Sequence, residues 1–221
     1  MPVAWNDDPP GSSRRIEANL RVILANILTG APRRTPPTVG MAQAWHRQTY
    51  ASIALPVPYY AGEVRATDSA FPELIGYEVM VGSAQGVPSA DVPAALVAFE
   101  AGMQAVMRQL DPRLPIGRRP ATTVDLRAVL LAAAIGHGEW IRIHPFANGN
   151  GRIARLCANW VAVRYGLPVF VSLRPRPAGL LYAGAAAASM RGDHDPMATV
   201  FHDMLRATLT GSPARGKEPG D

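Results

Sequence analysis

The chain has one cysteine, Cys157, and one lysine, Lys217, among its 22 cationic residues. A lone thiol excludes an intramolecular disulfide and a multi-cysteine zinc cluster, and it fits a reducing, cytoplasmic setting; Cys157 itself reads as an inert packed thiol. No apolar run approaches the roughly 20 residues a membrane-spanning helix needs, and no stretch reads as a signal peptide. The Gly-x-x-x-x-Gly-Lys-Ser/Thr loop is missing, which removes the P-loop route to nucleotides. Internal repeats are missing as well. The net charge of +5 suggests nucleic acid at first sight. Its arginines are dispersed, however, and the pairs Arg14-Arg15, Arg33-Arg34 and Arg118-Arg119 sit beside Gly, Ser or Pro, as solvated loop charges do. No aromatic-interleaved basic stripe accompanies them, so neither nucleic acid nor a membrane is an expected partner.

What is present is an ordinary globular composition, 48% hydrophobic and 18% charged over 221 residues, enough for one domain with a sizeable core. Residues 1–11 carry three prolines with Asp7 and Asp8 and lack apolar periodicity, which predicts a flexible arm. From Ser13 the positions Ile16, Leu20, Ile23, Leu24 and Ile27 recur at helical spacing up to the Gly30 stop. A connector over 31–38 leads to a second helix, Val39 to Tyr50, in which Trp45 and His46 read as structural. Residues 55–76 show little periodicity. The alternating run Tyr77 to Gly82, followed by Ser83 to Val87, predicts a small hairpin. A helix capped by Asp91 or Ser89 runs to Leu110, with Leu96, Phe99, Met103 and Met107 on one face. After a Pro- and Arg-rich loop, Thr122 or Thr123 opens a long apolar helix that ends at His144. A helix from Arg152 to Tyr165, a brief extended stretch 169–173, two more helices (178–190 and 195–209) and a disordered tail 211–221 complete the reading. The predicted fold class is mostly α with one small β-hairpin, its domain spanning 12–210.

The stretch His144-Pro145-Phe146-Ala147-Asn148-Gly149-Asn150-Gly151-Arg152-Ile153-Ala154-Arg155 concentrates the chemistry. Pro145 takes His144 out of helical geometry and presents its imidazole on a loop. Gly149 and Gly151 permit positive φ, so the amides of 149–151 can face a concavity that holds phosphate. Arg152 and Arg155 share a face of the next helix's first turn, where cations oppose the macrodipole and require an anion. A polyphosphate satisfies amides and guanidinium forks together. The string 149–154 also fits a dinucleotide fingerprint, but it follows a helix and a proline loop, not a strand. His137-Gly138-Glu139 lacks the paired cysteines of a zinc deaminase. His137, His194 and His202 therefore read as core, turn or surface residues.

These residues resemble the signature of the Fic (Fido) family, His-Pro-Phe-x-Asp/Glu-Gly-Asn-Gly-Arg-x-x-Arg. The resemblance implies a helical Fic domain that transfers AMP from ATP to a Ser, Thr or Tyr hydroxyl of a target protein. In that scheme His144 is the base, Gly149, Asn150 and Gly151 form the anion hole, and Arg152 and Arg155 hold phosphates. The target docks by strand pairing at the 77–88 flap, and oligomerisation is left open. Gly62-Glu63-Val64-Arg65 resembles the Gly-x-x-Arg string that precedes the flap. Asn148 stands where the family has a Mg²⁺-binding carboxylate, which weakens the expected metal site. Transfer of UMP or phosphocholine, or a silent nucleotide-binding regulatory module, are the alternatives. Ser13-Arg14-Arg15-Ile16-Glu17 resembles the family's inhibitory Ser/Thr-x-x-x-Glu-Gly/Asn motif, with Ala18 in the sixth position. On that reading 12–29 is an inhibitory helix whose Glu17 pairs with Arg155; helical spacing alone pairs Glu17 with Arg21.

Overall fold

The computed structural model describes residues 3–66 and 68–211; the first two residues of the expected arm and 212–221 of the expected tail lie outside it. Helix α1 (Ser13–Gly30) buries Ile16, Leu20, Ile23 and Ile27, the stripe its periodicity predicts. Helix α2 (Val39–Thr49) starts where the Thr38 hydroxyl accepts from the Met41 N–H. A hairpin of β1 (Met80–Val81) and β2 (Ala84–Gln85) follows, antiparallel with Met80 opposite Gln85 and Val81 opposite Ala84. Then come α3 (Val92–Leu110), α4 (Thr123–Ile143), α5 (Asn150–Arg164), α6 (Leu180–Ser189) and α7 (Asp195–Thr210). The fold is mostly helical with one small antiparallel sheet among the described residues.

Helix α4 is the central element, packed against α3, α5, α6 and α7. Its Thr122 cap accepts from the Asp125 N–H, and Leu130, Ala133, Trp140 and Ile143 are buried. Small residues let neighbours close in. A Cβ at Gly136 would stand 3.1 Å from Met103 Cε, and one at Gly138 would stand 2.5 Å from His194 Nδ1. Almost every residue of α5 is buried, so the segment between α4 and α5, where the motif lies, is held from both ends.

Three expectations need correction. Residues 3–11 are not a loose arm. Trp5 is 7% exposed, its ring 4.7 Å from that of Tyr50, and Val3 exchanges two hydrogen bonds with the Tyr60 hydroxyl. Single side chains anchor this segment, so no periodicity announced it. The hairpin is shorter than 77–87, although the Gly86 N–H still reaches the Val79 carbonyl at 3.1 Å. Helix α5 begins at Asn150, not Arg152, because Gly149 in the left-handed region ends the loop there.

The stretch 169–173 pairs with no strand. The buried Asn159 side chain holds it instead, accepting from the Phe170 and Val171 N–H groups and donating to the Val171 carbonyl. Asn159→Ala would strand these backbone groups, each costing on the order of 1–3 kcal/mol when left unpaired in the interior. Urea denaturation should show a loss of about 3 kcal/mol; a loss below about 0.5 kcal/mol, the size of an ordinary surface change, would show that the segment needs no such brace.

Candidate functional site

His144 closes α4 in the left-handed region at φ 52°, with its N–H on the Trp140 carbonyl at 2.9 Å. A residue before proline avoids the right-handed helix, and here it takes the left-handed well, an unusual place for a residue with a Cβ. The imidazole Nδ1 lies 3.2 Å from the Ile141 carbonyl, so the ring proton belongs on Nδ1 and Nε2 is left as the acceptor. Burial is the main cause that lowers the His144 pKa from 6.5 to about 4, with Arg65 adding to it and the Ile141 bond opposing. At neutral pH the ring is therefore uncharged and able to take a proton.

Arg65 fixes this geometry from beneath. It is fully buried, and its side chain donates to the carbonyls of His144 (2.9 Å), Tyr77 (2.8 Å), Val87 (2.9 Å) and Ile143 (3.1 Å). Its own N–H reaches the Pro145 carbonyl at 2.7 Å. One residue thus ties both sides of the hairpin to the His144 loop. Gly86 lets the hairpin lie close, since a Cβ there would be 3.3 Å from His144 Cβ and 2.9 Å from Val79 Cγ2. The carbonyl partners could not be read from the Gly-x-x-Arg string.

His46 supports the loop from the other side. It is buried, stacked 3.8 Å from the Phe146 ring at 8°, with Nδ1 accepting from the Gly62 N–H and Nε2 donating to the Asn148 carbonyl at 3.0 Å. Burial brings its pKa down to about 3. It is a neutral strut, as its structural reading required. His137 is likewise a core residue, bonded through Nε2 to the Tyr182 hydroxyl at 2.8 Å. Burial raises Cys157 to about 12, which makes an inert thiol.

The loop after Phe146 curls into a cradle at the start of α5, where the sequence predicts an anion. Gly149 adopts φ 77°, and a Cβ there would fall 2.3 Å from the Tyr50 hydroxyl. The Asn150 side chain does not line the hole; it stitches the loop, accepting from the Phe146 N–H and donating to the Phe146 carbonyl. The N–H groups of Asn150 and Gly151, at the start of α5, find no partner among the described residues. Arg152 and Arg155 are 9% and 5% exposed. Arg155 donates to the Leu173 carbonyl at 3.0 Å, while its buried Nε has no partner among the described residues. Two open amides at a helix N-terminus beside two arginines match the chemistry that a phosphate-class anion requires.

Asn148 is engaged on both sides of its amide. Its oxygen accepts from the Gly149 N–H at 2.8 Å and its nitrogen donates to the Trp5 carbonyl at 2.8 Å. A neutral amide oxygen that already accepts one hydrogen bond, with no motif carboxylate beside it, fits a protein-held Mg²⁺ poorly. No group of three or more metal-ligating side chains occurs among the described residues.

Glu17 does not meet Arg155 or Arg21. It lies 3.4 Å from Arg174, whose guanidinium also donates to Ser13 Oγ at 2.7 Å. The segment after α5 carries Arg174 back over the start of α1, a tertiary placement that helical spacing could not report. Asp7 and Asp8, absent from every motif, are the acids that reach the cradle. Asp7 accepts from Arg152 through its carbonyl (3.0 Å) and its carboxylate (2.6 Å), and Asp8 bridges Arg152 and Arg174.

His144 at the end of a helix, a hairpin packed over it and two open amides at the start of α5 form one neighbourhood. A model of the Fic/DOC family matches residues 36–162, more than half of the chain, and the chain belongs to that family, whose members are transferases. Over 77 residues it is 32% identical to the protein adenylyltransferase Fic of Drosophila virilis, a match covering 35% of this chain and 16% of that protein. The chain thus spans a small part of the curated relatives it matches. Its fold is similar to a Fic-domain-containing signaling protein from Bacteroides thetaiotaomicron, at TM-score 0.58 and 20% identity, covering 93% of this chain and 76% of that one. It is also similar to the Bartonella tribocorum effector BepC, solved with AMPPNP, at TM-score 0.61 and 16% identity with 92% of both chains covered.

Replacing Arg65 by lysine should cost on the order of 3 kcal/mol or more, because one ammonium cannot serve carbonyls spread across four residues. Chemical denaturation measures it, and a loss below about 1 kcal/mol, one ordinary hydrogen bond, would rule out the tethering role. Acid should also destabilise the protein. His46, His137 and His144 all titrate lower in the folded chain, two near 3 and one near 4, than their 6.5 reference. The unfolded chain therefore binds protons first, and stability drops as pH falls from 6.5 toward 3. Thermal melts at stepped pH should show the midpoint falling across that window; a flat midpoint down to about pH 4 would contradict it.

Proposed function

We propose that this protein is a protein adenylyltransferase, moving AMP from ATP to a Ser, Thr or Tyr hydroxyl of a target protein. The observation that carries this reading is a neutral His144, its Nε2 free to accept, presented beside an α5 start with two open amides and Arg152. His144 Nε2 takes the hydroxyl proton as the hydroxyl oxygen bonds to the α-phosphorus. The bond from that phosphorus to the bridging oxygen breaks, and pyrophosphate leaves. The Asn150 and Gly151 amides with Arg152 and Arg155 carry the phosphate charge, so positioning and electrostatics do most of the catalytic work. The hairpin at 77–88, which Arg65 holds over His144, is the natural place for a target strand to pair. Support also comes from the adenylyltransferase names of the Drosophila relatives and from AMPPNP in the BepC neighbour. Magnesium enters this proposal on the ATP phosphates, since Asn148 offers only a neutral oxygen that already accepts from the Gly149 N–H.

No helix of the described residues is long and apolar enough to cross a membrane. The engaged oxygen of Asn148 favours a second reading: the same cradle transfers UMP or phosphocholine, or holds nucleotide without transfer.

With α-labelled ATP and cell lysate, label should appear on protein, and His144→Ala should lower the rate about 10²- to 10⁴-fold, the usual contribution of a general base. The rate should hold through pH 6.5 and decline only toward pH 4, as the imidazole protonates. Label from UTP or CDP-choline in place of ATP would move the assignment to the second reading. Absence of transfer from every donor would end the enzyme reading.

A further inference from the structure

Of the two motif arginines in the cradle, Arg152 is neutralised by the chain itself. Asp8 Oδ2 lies within 3.6 Å of the Arg152 guanidinium and is hydrogen-bonded to Arg174. Arg174 therefore stands beside the phosphate-binding arginine of the motif, although it follows α5 and belongs to no motif position. Its side chain is about three-quarters buried, and its guanidinium is aimed by Ser13 Oγ and Glu17. Asp7 presses its carboxylate onto Arg152 at 2.6 Å, and the Tyr50 hydroxyl joins the same guanidinium at 2.8 Å. Two adjacent carboxylates thus meet two guanidiniums, one of them from Arg152 in the first turn of α5. Phosphates make the same charge-assisted contacts with guanidinium forks. One oxygen of Asp8 is buried without a partner among the described residues, so the carboxylate fits this place less completely than an anion with more oxygens would.

We propose that Arg174 is a third phosphate-binding residue, forming with Arg152 a clamp in which Asp7 and Asp8 stand in for the ligand's phosphates. The inference rests on the reading of the site as one for a phosphate-bearing nucleotide. Ligand entry is then an exchange. The 3–11 segment leaves the guanidiniums, Asn148 releases the Trp5 carbonyl, and Trp5 moves out of its packing against Tyr50 and His46. A ligand that must displace an internal competitor binds with an affinity reduced by the fraction of molecules already open.

The test is calorimetric titration of the full chain with ATP and, separately, with inorganic tripolyphosphate. The isosteric double variant Asp7→Asn/Asp8→Asn should bind both probes about tenfold or more tightly than the wild type, the mass-action gain of removing a competitor. Adding Arg174→Gln to that background should weaken both about tenfold, as loss of one charge-assisted phosphate contact does. The background matters because Arg174 holds the competitor as well as the ligand. Equal affinity in wild type and Asp double variant would overturn the stand-in role, and equal affinity with and without Arg174 would overturn the clamp. Failure of every variant to bind either probe would overturn both.

Displacement has its own readout. Acrylamide quenching of tryptophan fluorescence should rise on adding tripolyphosphate to the wild type and stay unchanged in Trp5→Phe; no rise in the wild type would mean that the segment stays in place. Thermal melts of each variant keep a folding defect apart from these effects. Transfer of AMP with affinities unaffected by the substitutions would sink this inference alone. Probe binding that follows the pattern without any transfer would sink the adenylyltransferase reading alone.

Discussion

A buried guanidinium without a carboxylate in close contact is the constraint on which the site depends. Arg65 has lost its water completely, and a charge so placed persists only when its donors are met. Its partners are carbonyls from the end of α4 and from both sides of the hairpin, with Glu78 at 3.7 Å as a looser, half-exposed counter-ion. Because these carbonyls belong to separate pieces of chain, satisfying the charge and assembling the site are the same event. The left-handed conformation of His144 costs on the order of 1–3 kcal/mol, and the bonds that Arg65 makes to Ile143, His144 and Pro145 hold it there.

On the opposite side of His144 the requirement is reversed. Arginines at the start of α5 oppose the helix dipole, and the first two amides of that helix are open. The fold answers with Asp7 and Asp8, drawn from the far end of the sequence and seated by Trp5 and Val3. An arrangement that is electrostatically satisfied without a ligand keeps its arginines in place, and a ligand can then exchange for the internal acids. Arg65 and the cradle thus represent two solutions to buried positive charge. The first is permanent, because backbone carbonyls cannot leave. The second is replaceable, because its acids lie on a segment tied down by a few side chains.

The parts legible in the sequence were those fixed by neighbours along the chain. Apolar spacing placed the helices, Pro145 ended α4, the glycines opened the loop, and the motif singled out His144, Arg152 and Arg155 around it. The alternation of 77–81 placed the hairpin but overstated its pairing, since the Tyr77 carbonyl is used by Arg65. What could not be read were contacts set by tertiary closure. Nothing within 3–11 shows that its aspartates meet Arg152. The acceptor of Glu17 depended on where the segment after α5 would lie. Gly149 looked like part of the anion hole, whereas its N–H donates to Asn148 Oδ1; Asn150 keeps its N–H open while its side chain closes the loop by pairing with both backbone groups of Phe146.

Asn148 joins these strands of the argument. As the family's departure from a carboxylate it looks like a loss, a weaker ligand for a hard cation. In the structure its two ends have distinct tasks that a carboxylate cannot share. The oxygen accepts from Gly149 and shapes the loop, while the nitrogen donates to the Trp5 carbonyl. A carboxylate in this position would set oxygen against oxygen at 2.8 Å and push the 3–11 segment away. The same amide that gives up a charged metal ligand therefore gains a donor for the segment whose aspartates fill the cradle. Metal affinity and internal occupancy are opposed through one side chain, and asparagine favours occupancy.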